Sequence, residues 1–175
     1  MKPVRIGTRS SALAMWQAQW VQNTLTEIGI ATEIVPIHSS GDNNLVQPLY
    51  EMGVVGVFTK ELDQALLQKE VDICVHSMKD VPTQLPDGIV EGFVPKRGPA
   101  GDVFVFREKN WESLPQRTIA TSSLRRQAQW LFAHKNDTVV RLRGNIQTRL
   151  DKIQINNWDG AVFAQAGLQR LSTNP

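Results

Sequence analysis

Three stretches of this sequence pair arginine with a hydroxyl or a Gly-Asn turn. They are GTRSSALA (7–14) with Arg9 and Ser11, ATSSLRRQA (120–128) with Ser123, Arg125 and Arg126, and LRGNIQTRL (142–150) with Arg143, Gly144 and Arg149. Each lies where a strand is expected to hand over to a helix. A helix N-terminus offers free backbone N–H groups and the positive end of its dipole to an anion. A guanidinium fork matches a carboxylate or phosphate with two parallel hydrogen bonds. In open α/β sheets such junctions gather at the carboxyl ends of the strands, where ligands bind. Any one of them is equally a serine cap beside a solvated arginine. Three of them, spread over two lobes, point to an arginine-lined site for a small polyanion.

One acid stands in the same setting. In HSMKDVPTQLP (76–86) the pair Lys79 and Asp80 follows an apolar run and precedes a proline-marked turn. Asp80 reads either as an ion-pair partner for nearby cations or as a working carboxylate. The second role needs a substrate that turns cationic, so that the acid can hold an electron-poor nitrogen and pass protons. His38, His76 and His134 have no metal-ligand spacing, and no metal site is expected. The only cysteine, Cys74, sits in an apolar run and reads as a small buried thiol. The loop GVVGVF (53–58) lacks the Lys-Ser/Thr ending of a phosphate loop.

The elements that must position these residues follow from periodicity. VRIGTR reads as a strand. In the stretch after it, Leu13, Trp16, Trp20, Leu25 and Ile28 share one helix face, with Ser10 or Ser11 as cap and Gly29 as stop. TEIVPIH is a second strand, SSGDNN a polar turn, FTKELDQALLQK a helix and VDICVHS a third strand. After the Pro/Gly-rich break VPKRGPAGD (94–102), strands are expected at DVFVF, TIATS, TVVRLR and GAVFAQ, and helices at LRRQAQWLFAHK and NIQTRLDKIQI. This alternation implies α/β architecture with largely parallel sheets. The lobes are placed at 1–95 and 103–175, with a hinge at 96–102.

Across 175 residues, 41% hydrophobic and 21% charged content describe a globular protein with room for a core. A net charge of +2 and arginines scattered over several junctions argue against nucleic acid as a partner. No stretch approaches the roughly 20 apolar residues of a membrane span, and no apolar leader is visible at the start. A monomer in a reducing compartment, most simply the cytoplasm, is expected.

GTRSSALAMWQA, GVFTKELDQALL, DICVHSMKDVPTQLP, TSSLRRQAQ, LRGNIQTRLDK and DGAVFAQAGLQRL, in this order, resemble the porphobilinogen deaminase (hydroxymethylbilane synthase) family from Arg5 to Leu171. The resemblance implies two lobes like those of type II periplasmic binding proteins and a third, α+β domain. It implies a transferase of porphyrin and haem biosynthesis that joins four porphobilinogen molecules head to tail with loss of ammonia. It also implies a dipyrromethane cofactor that primes the chain. Asp80 matches the family's catalytic aspartate. Lys79, Ser77, Ser123, Arg125, Arg126, Arg143 and Gly144 match cofactor contacts, and Arg9, Ser11 and Arg149 match substrate contacts.

Three departures stand out. Gly53-Val54-Val55-Gly56 replaces the family's Gly-Gly-Lys-Gly, and PKRGPAGD replaces an EREDPRD-like run. The third domain and its cofactor-bearing cysteine are not in this sequence, and Cys74 lies in the wrong motif to substitute. The alternative to a complete enzyme is therefore a non-catalytic module of the same fold that binds pyrrole carboxylates.

Overall fold

The computed structural model describes residues 2–39 and 56–172. Most of the polar turn SSGDNN and the Gly53–Val55 part of the glycine loop fall outside them. The chain divides into two compact units, Met1–Lys96 with Arg170–Pro175, and Arg97–Gln169.

In the first unit, β1 (Val4–Arg9) is the centre of a parallel three-stranded sheet ordered β2-β1-β3, with β2 at Thr32–Ile37 and β3 at Ile73–Cys74. Ile6, Gly7 and Thr8 are buried, as a central strand covered on both faces requires. Helix α1 (Ala12–Glu27) starts at Ser11, whose Oγ accepts from Ala14 N–H at 3.4 Å. It stops at Gly29, where φ is +80°. The Gly29 and Ile30 N–H groups bond back to the Thr26 and Leu25 carbonyls at 2.9 and 3.0 Å, closing a Schellman motif. Helix α2 spans Lys60–Leu67 and buries Leu62 and Ala65.

The third strand is shorter than the seven apolar-rich residues imply. Its flanking ladder bonds, Asp72 N–H to Arg5 O and Val75 N–H to Gly7 O, are both 2.9 Å, and the chain then bends into a single 3-10 turn at Met78–Asp80. Arg5 forks onto Asp72 from the neighbouring strand, with Nη2 2.9 Å from Oδ1 and Nε 3.0 Å from Oδ2. Those hydrogen bonds pull the Asp72 carboxyl down to about 2.

The second unit holds a four-stranded sheet ordered β4-β7-β5-β6, with β4 at Asp102–Phe106, β5 at Thr118–Ala120, β6 at Thr138–Val140 and β7 at Gly160–Ala164. Only β4 runs antiparallel to its neighbour. Helix α3 (Leu124–Ala133) follows β5, and α4 (Ile146–Ile155) follows β6. Helix α5 (Gln165–Ser172) follows β7 without an intervening loop. It has no forecast in the periodicity, because its eight residues begin inside the expected strand. Ala120, Leu142, Ile153, Ala161 and Phe163 form the core beneath these elements. The α/β class with mostly parallel sheets is what the strand–helix alternation implied.

No helix among the described residues is long and apolar enough to cross a membrane. Nor do those residues bring together a His/Cys/Asp/Glu group able to hold a metal ion.

A polar cluster pins α3 to the start of β5. The Asp137 side chain, 2% exposed, takes Trp130 Nε1–H at 2.8 Å and Arg117 Nε at 2.9 Å. Arg117 Nη2 also reaches His134 Nδ1 at 3.0 Å. Burial alone would raise the Asp137 carboxyl, but the Trp130 and Arg117 hydrogen bonds hold it below the usual range. Its contribution is therefore complete above the ordinary carboxylate pKa and is lost as pH falls through the lower folded value. Asp137→Ala strands the buried guanidinium and should cost about 3–5 kcal/mol in urea unfolding. A loss below about 1 kcal/mol, typical of an exposed pair, would contradict this role.

Candidate active site

In the first unit the chemistry gathers at the carboxyl ends of β1 and β3. Arg9 is the last residue of β1, and its guanidinium lies 4.1 Å from the Phe58 ring centroid. Its Nη1 is 4.0 Å from Asp80 Oδ2. Asp80 closes the 3-10 turn after β3, with its own N–H bonded to Ser77 O at 2.9 Å. Lys79 Nζ donates to both Asp80 oxygens, at 2.8 and 3.1 Å. The Asp80 side chain is 13% exposed and that of Lys79 76%. The lysine contact is thus a surface pair worth little, and it gives way readily to another donor. Asp80 itself is held in place by the turn.

Two expected contact residues are already occupied. Ser11 Oγ caps α1, and Ser77 Oγ donates to Gln17 Oε1 on that helix at 3.0 Å. Burial pushes the neighbouring His76 ring down, and the attraction of Asp63 and Asp80 does not reverse it. Cys74 is pushed up to about 12 by burial, which leaves it a poor nucleophile.

The second unit collects the other arginines. Ser123 caps α3 by accepting from Arg126 N–H, and Asn145 caps α4 by accepting from Thr148 N–H at 2.9 Å. Between β6 and α4, Gly144 has φ +116°, and a Cβ there would sit 2.8 Å from Thr148 Cγ2. Only glycine fits that bend. Arg149 Nε donates to Gly144 O at 2.6 Å, which folds its side chain back over the junction.

Arg149 lies among cations. Burial comes first in pushing its guanidinium below the ordinary value, and the charges of Arg143 and Arg126 push it further down. Among the described residues no carboxylate pairs with Arg149. Like charges confined in a part-buried site cost free energy unless an anion enters. Arg126, Arg143 and Arg149 are thus drawn from two helix N-termini and the turn before one of them, with Arg126 held by Asp102.

The sequence reading missed three partners. Asp102 takes both Arg125 and Arg126, Phe58 lies under Arg9, and Gln17 holds Ser77. Their separations in the chain, 23 and 24 residues for Asp102 and 60 for Gln17, leave no local pattern.

Arg149→Met should leave the thermal midpoint of the ligand-free chain unchanged or raised, because the cost of a crowded, part-buried charge disappears. Citrate should raise the wild-type midpoint by mass action and the variant's much less. A drop of more than about 4 °C, roughly 1 kcal/mol at this chain length, with citrate's effect intact would contradict the assignment.

The family description "Porphobilinogen deaminase, dipyromethane cofactor binding domain" matches residues 4–175. The porphobilinogen deaminase of Pelotomaculum thermopropionicum is 48% identical over 97% of this chain and 56% of its own length. That of Syntrophotalea carbinolica is 45% identical over 96% of this chain and 55% of its own. The chain thus spans about half the length of the curated relatives it matches. Among solved structures, the VFT2 domain of Bordetella pertussis BvgS is similar over 95% of this chain and 67% of that one, at 14% identity and a TM-score of 0.45. With residues 4–175 matched and relatives near half identical across it, this chain belongs to the porphobilinogen deaminase family.

Proposed function

We propose that this chain provides the cofactor- and substrate-binding part of a hydroxymethylbilane synthase, which condenses four porphobilinogen molecules head to tail into a linear tetrapyrrole. The observation that carries the reading is the placement of Arg126 and Arg149 in the first turns of α3 and α4, with Arg143 in the turn that precedes α4. Porphobilinogen bears an acetate and a propionate, so each ring brings two carboxylates to such a group. Dipyrromethane fits the same residues for the same reason: its rings carry these acids, and Arg125 and Arg126 stand at the N-terminus of α3, where a carboxylate is favoured. When bound, dipyrromethane supplies the primer on which the pyrrole chain grows.

In this reading Arg125, Arg126, Arg143, Ser123, Gly144, Ser77 and Lys79 hold the cofactor, and Arg9, Ser11 and Arg149 hold the substrate. Ser11 and Ser77 act through helix α1, as cap and as anchor. Asp80 accepts the pyrrole N–H of the substrate. The C–N bond of the protonated aminomethyl group breaks, its electron pair leaves with ammonia, and the electron-poor carbon then bonds the free α-carbon of a second pyrrole, which gives up its proton. A fixed carboxylate at that point offsets the developing positive charge and can take the proton released later. Residues 1–95 and 103–175 are proposed as the two lobes joined at a hinge at 96–102, with Arg170–Pro175 grouping with the first, and the protein works as a cytoplasmic monomer.

A second reading, pyrrole-carboxylate binding without turnover, is favoured by the arginine group of the second unit being complete without Asp80. One experiment separates the two. In a polypeptide of the relatives' full length carrying these residues, Asp80→Asn should retain porphobilinogen binding and cut ammonia release by about 10²–10⁴-fold. Near-normal ammonia release in Asp80→Asn would refute the role of Asp80. Binding by the unaltered polypeptide with no ammonia and no pyrrole adduct by mass spectrometry would establish the second reading instead.

A further inference from the structure

We infer that Asp102 is a positioning residue for carboxylate recognition, holding Arg125 and Arg126 so that their uncommitted N–H groups meet a ligand acid. The inference rests on the proposed function, which assigns this arginine pair to ligand carboxylates.

Asp102 opens β4 and is paired in register with Ala164 of β7, so its backbone is fixed by the sheet. Each carboxylate oxygen takes one arginine. Arg126 Nε and Nη2 reach Oδ1 at 3.1 and 2.7 Å, and Arg125 Nη2 reaches Oδ2 at 2.8 Å. The other ends are also held, Arg126 Nη1 by Val162 O at 3.3 Å and Arg125 Nη1 by Gln129 Oε1 at 2.9 Å. A guanidinium carries five N–H groups. Arg126 therefore keeps N–H groups on its Nη1–Nη2 edge, while its side chain is only 15% exposed and little free to turn. Burial would raise the Asp102 carboxyl, yet the two arginines hold it below its ordinary value, so it stays charged at neutral pH.

Positioning and bulk electrostatics predict opposite signs. Asp102→Asn adds one unit of positive charge to a site already rich in arginine, and by charge alone it should bind anions more tightly. If Asp102 positions the forks, the same change weakens binding.

The test is calorimetric titration of the 175-residue chain with porphobilinogen and, separately, with citrate. Asp102→Asn should bind both about tenfold more weakly, the loss of one charge-assisted hydrogen bond. Asp102→Glu, which keeps the acid, should recover part of the affinity at an unchanged thermal midpoint. Equal or tighter binding by Asp102→Asn overturns the inference. Should Asp102→Asn not fold, Asp102→Glu decides: weaker binding than wild type supports positioning, and unchanged affinity overturns it. Wild-type binding of citrate but not porphobilinogen refutes the proposed function and leaves Asp102 to be judged on citrate. Binding of neither overturns both.

Discussion

Guanidinium groups brought to neighbouring strand–helix junctions repel one another, and the second unit must hold them in place despite that repulsion. Arg126, Arg143 and Arg149 face like charge in a part-buried setting. The fold tolerates them through neutral and acidic acceptors brought from elsewhere: Gly144 O for Arg149, Val162 O for Arg126, and Asp102 for Arg125 and Arg126. Each acceptor orients a fork, and Asp102 also offsets charge where it holds Arg125 and Arg126.

The first unit carries the opposite device. A single carboxylate, Asp80, sits on a tight turn at the end of β3 beside Arg9 and an exposed lysine. Cations in one unit and a fixed carboxylate in the other are the two devices on which the proposed function draws.

Much of this was legible in the residues because the governing interactions are local. Ser11 before Ala12 and Gly29 after Ile28 mark the ends of α1, since caps and left-handed stops act within a few residues of a helix terminus. Asn145 and Ser123 mark α4 and α3 in the same way. Ends set by distant partners were not legible. Strand β3 is cut to two residues because its ladder to β1 stops near Gly7, which nothing in VDICVHS announces. Asp102 was legible as the start of the DVFVF strand, but its hold on α3 follows from sheet packing that brings β4 near that helix. Lys69 and Asn157 end α2 and α4 in left-handed conformation at φ 60° and 52°, where glycine is the usual residue.

The central claim is that the arginine junctions are a carboxylate site for pyrroles. Nitrogen-15 NMR of the arginine Nε–H groups during titration with porphobilinogen and a dipyrromethane bearing the same acids tests it most directly. The account predicts saturable shifts at Arg126, Arg143 and Arg149, with Arg117, buried on Asp137, unmoved. Shifts absent from those three, or spread evenly over the exposed arginines, would contradict it.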